Sequence, residues 1–286
     1  AAFKNCMKVI GELTIPCFQQ KEIFKKNLNI FRNSNALIKQ DGDYLYVVGG
    51  YGASVDSVKT KYYVTFNQVA KINVPNMIKL IKGNKLSSSE LKDLVSFVKN
   101  KNDKLISTGG EMYKFGETLY LSGGHNFTSS SQKYVDAVYP FTTNHSTTPY
   151  TLDINVGNPI SDVPNPAAAG TDAISIFRRR DGPITPNLYK VGNTIKRGLT
   201  FYTGVFRPDS LSVKGTDSTY YHLAWNNAIY VHPQKTTPYT YDKAYNQKNF
   251  NVYSCPSFVL FDASSDNLHT FLLGGIGDGS RAPVGH

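Results

Sequence analysis

Four stretches of the chain share one alternation of apolar and polar positions. Each is a short apolar run, a tight polar turn, a second apolar run and a closing glycine. The stretches span residues 36–50, 111–124, 188–204 and 257–275. Two apolar runs joined by a short turn of this kind are typical of a β-hairpin. The repetition therefore predicts four hairpins of one type, and with them a mostly β protein.

Glycine closes each of these stretches. Three of them end in a glycine pair, and the third stretch has Thr203-Gly204 instead. Glycine suits such a position because it adopts backbone angles that other residues avoid and lets neighbouring backbones approach closely. The final glycines stand at 50, 124, 204 and 275, so one unit takes 71–80 residues.

A hydrophobic run that ends in a glycine pair resembles the kelch motif, the inner part of a four-stranded propeller blade. The units are longer than the ~50 residues of an ordinary kelch repeat, so the extra residues are expected in loops. The motifs that carry the resemblance, in chain order, are ISTGGEMYKFG (106–116), LYLSGGHNF (119–127), RRRD (178–181), FYTGVF (201–206) and FLLGGI (271–276). In this order they are similar to the kelch-like secreted or cell-surface proteins of Bacteroidota.

The resemblance covers roughly residues 30–279 and implies an all-β fold, a kelch-type β-propeller with one short helical insert. It also implies an extracellular or cell-surface, outer-membrane-associated location, in a family often exported by type IX secretion and of uncharacterised activity. The chain departs from the family pattern at Thr203-Gly204 and in having no C-terminal sorting domain. We expect residues 1–286 to form a single propeller domain that is part of a larger ring, because kelch rings usually have six or seven blades.

One segment has helical spacing instead of strand alternation. Ser87 or Ser88 can cap a helix there. The apolar residues that follow recur three or four positions apart: Leu91, Leu94, Val95 and Val98. This spacing predicts an α-helix over 88–101, inside a helical insert at 76–103 that packs on one rim. Short strands are expected at 7–10 and 13–15, and an outer strand at 62–69.

Composition and charge narrow the classes of function. The 286 residues include 31 basic and 21 acidic side chains, for a formal net charge of +10. The lysines are dispersed along the chain, whereas nucleic-acid binding needs a focused basic patch. We therefore expect no nucleic-acid partner, and contact of a diffuse basic surface with anionic polysaccharide instead. No apolar run approaches ~18 residues, so no transmembrane segment is expected.

The inventory of reactive side chains is small. Three cysteines are too few for a disulfide scaffold. Cys6 and Cys17 either pair across a hairpin or stay free, and Cys255 is expected to be a small buried apolar residue. The chain has no C-x-x-C motif, no P-loop and no G-x-S-x-G elbow, and its six histidines lack ligand spacing. We expect no metal, no cofactor and no set of catalytic residues.

Eight side chains are candidates for binding. Arg178, Arg179, Arg180 and Asp181 form either an anion-binding loop, because guanidinium groups match carboxylate and sulfate, or a structural set of buried hydrogen bonds. Glu111, His125 and Asn126 each follow a glycine pair, and they either line a polar pocket near a central channel or satisfy loop backbone groups. Trp225 either stacks on a sugar ring or fills the core.

These expectations favour a binding module over an enzyme. The leading hypothesis is an extracellular propeller that binds a protein partner or a surface glycan through long loops, within a larger surface assembly. The alternative is a polysaccharide hydrolase or oxidase with its site on the propeller axis. Two carboxylates, or a Tyr/His metal set, converging in one pocket would favour the alternative.

Overall fold

The computed structural model describes residues 18–55, 61–164, 166, 175–205, 207, 213–214, 220–221, 224–247 and 250–275. The predicted strands at 7–10 and 13–15, and the possible Cys6–Cys17 pair, lie outside these residues. Within them the protein is mostly β, with few and short helices. None of the helices in these ranges has the length and apolarity needed to span a membrane.

The helices are α1 (Phe18–Asn27), α2 (Val74–Ile81) and α3 (Ser88–Lys92), with 3-10 turns at Leu28–Phe31 and Asp103–Leu105. The strands are β1 (Asn33–Ser34), β2 (Leu37–Asp41), β3 (Tyr44–Val48), β4 (Tyr51–Val55), β5 (Lys61–Thr65), β6 (Val69–Asn73), β7 (Val95–Val98), β8 (Glu111–Phe115), β9 (Thr118–Ser122), β10 (His125–Phe127), β11 (Gln132–Tyr134), β12 (Val138–His145), β13 (Thr151–Val156), β14 (Ile184–Val191), β15 (Thr194–Phe201), β16 (Val213–Lys214), β17 (Tyr220–Tyr221), β18 (Ala228–Val231), β19 (Tyr239–Asp242), β20 (Ser257–Asp262) and β21 (Asn267–Leu272).

The four predicted hairpins are confirmed as antiparallel strand pairs: β2–β3, β8–β9, β14–β15 and β20–β21. The first three have two-residue turns whose first residue is Gly42, Gly116 or Gly192, with φ of +54°, +58° and +56°. A two-residue hairpin turn needs a positive φ at this position, and glycine adopts it without strain. Local turn chemistry thus fixes the register of each hairpin.

Each hairpin belongs to a larger unit. In the first three, two further strands extend the hairpin: unit 1 is β2-β3-β6-β7, unit 2 is β8-β9-β12-β13 and unit 3 is β14-β15-β18-β19, while unit 4 is the hairpin β20-β21. Two smaller sheets, β1-β4-β5 and β10-β11, extend from the ends of β3 and β9.

Each blade of a propeller is a separate sheet, so the kelch resemblance implies that the first two hairpins lie in separate sheets, and this expectation is wrong. The outer strands β7 and β13 pair in parallel, with Phe97 opposite Thr151 and Val98 opposite Leu152. Units 1 and 2 therefore form one eight-stranded sheet. Its end strands β2 and β8 also lie against each other, through the Lys114–Asp41 ion pair at 2.7 Å and Lys39 above the Tyr113 ring. The sheet is thus nearly closed.

The predicted helix over 88–101 is wrong in its second half. Helix α3 begins with a capping box, in which the Ser87 hydroxyl accepts from the backbone N–H of Glu90, and it ends at Lys92. The segment Val95–Val98 is instead strand β7, and all four of its residues are buried. A β-branched and aromatic run buried on both faces fits a strand inside a sheet.

Two other elements differ from expectation. The insert also contains α2, whose N-cap Asn73 accepts from the backbone N–H of Asn76. The strand predicted at 62–69 is divided between β5 and β6. Helix α1 was missed, and with the following turn it packs Phe24 and Ile30 on the outer face of unit 1. The rings of Phe24 and Phe97 meet edge to face at 5.3 Å.

The core lies between successive units. One cluster, which includes Leu37, Val48, Leu121 and Tyr139, fills the space between units 1 and 2. A second, which includes Tyr120, Phe201 and Val231, lies between units 2 and 3. On unit 4 the corresponding apolar side chains are exposed, with Phe258 at 45%, Leu260 at 55% and Phe271 at 40%.

Backbone hydrogen bonds from the glycine pairs join unit 1 to unit 2 and unit 2 to unit 3. The backbone N–H of Gly50 donates to Ser107 O at 2.9 Å, and that of Gly124 donates to Arg179 O at 2.9 Å. A Cβ on Gly123 would lie 2.9 Å from Arg179 O, which is too close. The repeated glycine therefore marks the point at which the backbones of neighbouring units approach.

Candidate functional site

A residue with left-handed backbone precedes the innermost strand of every unit. These residues are Asn35, Gly109, Asp181 and Ser254, with φ of +53°, +69°, +55° and +54°. Backbone hydrogen bonds join these residues in pairs. The Gly109 N–H donates to Asn35 O and the Ser254 N–H donates to Asp181 O, both at 3.0 Å. Asn, Asp and Gly tolerate this conformation best. The same bend thus recurs where the units meet.

These bends surround a cavity of about 600 Å³, here called the junction cavity. Each of the four units contributes to its wall at this equivalent position. The polar residues in the wall include Asn35, Glu111, Arg179, Arg180, Asp181, Thr203, Ser254 and Ser257, and Tyr113, Pro183, Ile184 and Pro256 add apolar surface. A cavity of this size, with a few convergent polar groups, is within the range of ligand sites.

Glu111 stands at the start of β8 and lines the cavity. The residue is exposed, but the atoms of the cavity wall around it partly desolvate its carboxyl. This desolvation raises the pKa of the Glu111 carboxyl, and the Lys39 ammonium opposes the rise. Lys39 Nζ also lies 5.0 Å from the centre of the Tyr113 ring. A carboxyl, an ammonium and an aromatic ring therefore gather along the seam between β2 and β8.

Tyr113 is fixed by a long-range hydrogen bond. Its hydroxyl donates to Ile184 O at 2.6 Å, across the boundary between units 2 and 3. Burial raises the pKa of the Tyr113 phenol, so the group stays neutral and keeps its proton. The ring thus presents a rigid apolar face to the cavity.

Arg180 and Asp181 form an ion pair on the unit 3 side of the cavity. Arg180 Nε lies 2.7 Å from Asp181 Oδ2, and each side chain is about a quarter exposed, at 26% and 25%. Burial raises the pKa of the Asp181 carboxyl, and the Arg180 charge opposes this. The pair presents both signs of charge to the cavity, which suits hydrogen bonding to a polar ligand.

Arg179 and Trp225 are buried, and Arg179 also borders the junction cavity. Arg179 is 1% exposed and Trp225 is 5% exposed. Arg179 Nε donates to Ile176 O and Nη1 donates to Asn227 O, both at 2.8 Å, while the guanidinium lies 4.9 Å from the centre of the Trp225 ring. The indole N–H donates to Arg178 O at 2.9 Å. Trp225 is therefore too buried to stack on an external sugar.

His125, Asn126 and Arg178 lie beside the cavity and do not line it. His125 is 7% exposed, and burial together with the Arg180 charge lowers its pKa to about 4. Its ring contacts Phe127 and Tyr134, and the Arg178 guanidinium lies 4.5 Å from the centre of the Tyr134 ring. Asn126 lies in β10 opposite Lys133. These residues support the wall behind Arg180 and Gly124.

Five polar or aromatic residues of the cavity were missed from the sequence: Asn35, Tyr113, Thr203, Ser254 and Ser257. A signal for two of them was present, because Asn35 and Ser254 occupy the same position in the repeat as Gly109 and Asp181. Among the described residues, no three His, Cys, Asp or Glu side chains gather closely enough to hold a metal ion.

Comparison with known proteins adds little to this picture. No protein-family model and no curated protein matches the chain. One similar solved structure is a cryo-EM structure of RAG in complex with one melted and one unmelted RSS, at TM-score 0.41 and 10% identity, covering 85% of this chain and 68% of that one. Another is the structure of YjhT, at TM-score 0.30 and 12% identity, covering 73% and 70%. At such scores neither likeness carries a functional argument.

Proposed function

We propose that this chain is a kelch-type β-propeller that acts as an extracellular or cell-surface binding module, with a surface glycan as the ligand of the junction cavity. One observation carries the proposal: the same position of all four units contributes to a single cavity. The repeated glycine-ended hairpin supports the propeller assignment. The resemblance to secreted proteins of Bacteroidota supports the location and a role in a larger surface assembly.

The cavity wall supports a saccharide as the class of ligand. Carboxylate, guanidinium, amide and hydroxyl groups from Glu111, Arg180, Asn35 and Ser257 can each exchange hydrogen bonds with sugar hydroxyls. Tyr113 supplies an apolar face for the C–H groups of a sugar ring. A purely apolar ligand fits poorly, because it would leave these polar groups without water or partners.

A printed array of bacterial and plant glycans, probed with the purified chain, tests the proposal. We expect binding to at least one glycan, and Glu111→Gln should weaken it by about tenfold, a loss of one charged hydrogen bond. Glu117→Gln is the matched control, because Glu117 lies in the β8–β9 turn and its side chain is 92% exposed. Recognition only of a protein partner, or equal effects of the two variants, would contradict the proposal.

A second candidate function has one specific observation in its favour. The carboxyls of Glu111 and Asp181 both line the junction cavity, and burial raises the pKa of each. Paired carboxyls in different environments are what glycoside hydrolysis requires. Release of reducing ends from a glycan found on the array, abolished by Glu111→Gln and by Asp181→Asn, would identify a hydrolase instead of a binding module.

A further inference from the structure

A row of aromatic rings runs along the rim beside the junction cavity. The rings of Tyr63 and Tyr51 are stacked with centres 6.0 Å apart, and Tyr51 meets Phe127 edge to face at 5.4 Å. Tyr63 is 47% exposed, and Tyr51 and Phe127 are partly exposed. We call these three residues the aromatic ledge. Aromatic rings that cluster at the surface in this way can form a contact surface.

The ledge lies close to the cavity wall along the chain. Strand β1 pairs with β4 so that Ser34 lies opposite Tyr51, and the next residue, Asn35, lines the cavity. Phe127 stands three residues after Gly124, which also lines the cavity. Tyr51 and Phe127 are therefore each within a few residues of the wall, where an extended ligand bound in the cavity can reach them.

Hydrogen bonds hold the two parts of the ledge together. The Thr65 hydroxyl accepts from the Phe127 N–H at 2.8 Å and donates to Phe127 O at 3.2 Å. Val64 forms a further backbone bridge to Thr128. These contacts join the hairpin β4–β5 to β10–β11 and so position the backbone beneath the three rings. A pre-organised aromatic surface loses less entropy on binding than a mobile one.

We propose that the aromatic ledge is a stacking subsite for a second sugar residue, so that the cavity takes the end of an oligosaccharide chain and the ledge takes its continuation. This inference rests on the proposed function and specifies the ligand as an oligosaccharide, not a free monosaccharide. Tyr63 offers the most exposed ring, and the exposed Lys61 ammonium, 5.4 Å from the centre of that ring, can donate to a sugar hydroxyl.

Strand geometry provides a matched control. Neighbouring residues of a strand face opposite sides, so Tyr62 lies on the face away from Tyr51 although it is 41% exposed. Tyr63→Ala and Tyr62→Ala remove the same side chain from adjacent positions. Tyr63→Phe keeps the ring and removes only the hydroxyl.

The experiment uses linear glucan, galactan and N-acetylglucosamine oligosaccharides of one to six residues, with affinity measured by calorimetry. We expect oligosaccharides to bind about tenfold more tightly than the monosaccharide, and Tyr63→Ala to abolish that difference without changing monosaccharide affinity. Tyr62→Ala and Tyr63→Phe should both behave as the wild type. Circular dichroism confirms that each variant is folded.

The outcomes separate the two proposals. If no saccharide binds, the proposed function and the subsite both fail. If monosaccharides bind but chain length and Tyr63→Ala have no effect, the cavity assignment stands and the ledge assignment is overturned. Equal losses in Tyr62→Ala and Tyr63→Ala also overturn it, because they would show an unspecific effect on the hairpin.

Discussion

The buried Arg179 offers a test of whether geometry or charge holds the segment 176–179 against the segment 225–227. Its guanidinium donates to two backbone carbonyls and lies on Trp225. Burial lowers the Arg179 pKa to about 9, so the cation is destabilised by its surroundings. Arg179→Lys keeps the buried charge but removes the planar fork. Arg179→Met removes the charge and keeps most of the volume.

The two variants should differ in a definite order. A lysine ammonium can reach one of the two carbonyls and loses the flat contact with Trp225. That loss costs about 1.5–3 kcal/mol for the hydrogen bond and about 1 kcal/mol for the ring contact. Methionine removes the desolvation of the cation but leaves both buried carbonyls without a partner, which costs about 1–3 kcal/mol for each. We therefore expect Arg179→Lys to cost roughly 3 kcal/mol from wild type and Arg179→Met, which keeps neither hydrogen bond, to be the more destabilising.

Urea unfolding followed by tryptophan fluorescence measures this order, since Trp225 is the only tryptophan and it contacts Arg179. Arg197→Met, at an exposed position of β15, is the control. Its free energy of unfolding should differ from wild type by no more than about 0.5 kcal/mol. The free energy of unfolding of Arg179→Lys should also rise from pH 7 to pH 9. A buried lysine has a lowered pKa, so in this pH range the unfolded chain binds more protons than the folded one. A lysine variant as stable as wild type at pH 7 would refute the argument.

Three further outcomes are expected. Ser87→Ala should cost about 1 kcal/mol in urea unfolding because it removes the N-cap of α3, whereas Ser89→Ala should cost less than half of that. Gly110→Ala should lower the melting temperature strongly, because its Cβ would lie 2.5 Å from a backbone carbonyl oxygen. Gly157→Ala should lower it much less, because the nearest atom to its Cβ would be a side-chain carbon of Pro140 at 3.3 Å. The free energy of unfolding should fall by about 3 kcal/mol as pH drops from 6.5 to 4, because the folded state keeps His125 neutral with a pKa near 4. His125→Phe should remove most of this pH dependence. A pH profile unchanged by that variant would contradict the assignment.

The hairpins were predictable from the sequence because their determinants are local. A glycine at the first turn position and the alternation around it specify the strand pair at Gly42, Gly116 and Gly192 without reference to the rest of the chain. The segment Val95–Val98 was not predictable in this way. Its spacing fits a helix or a buried strand equally well, and its pairing with β6 and β13 decides the outcome.

The candidate site was predicted only in part, for a similar reason. Glu111, Arg180 and Asp181 follow from their positions beside repeated glycines and in the one dense charge cluster. The full burial of Arg179 between its partly buried neighbours depends on Trp225, 46 residues later in the chain. The aromatic ledge joins residues from two hairpins, so Tyr63 and Phe127 carry no shared sequence signal.

The parallel pairing of β7 with β13 has a consequence for how the molecule opens. Units 1 and 2 are joined at their outer strands, through β7 and β13, and along the β2–β8 seam, so neither can separate without breaking both contacts. Unit 4 is a single hairpin with an exposed apolar face. Amide hydrogen exchange should therefore be graded along the chain, slowest in β3, β6, β9 and β12 and fastest in β20 and β21. Ser254 and Ser257, which line the junction cavity, stand next to or within this least protected part, so the cavity combines three firmly held walls with one that exchanges faster.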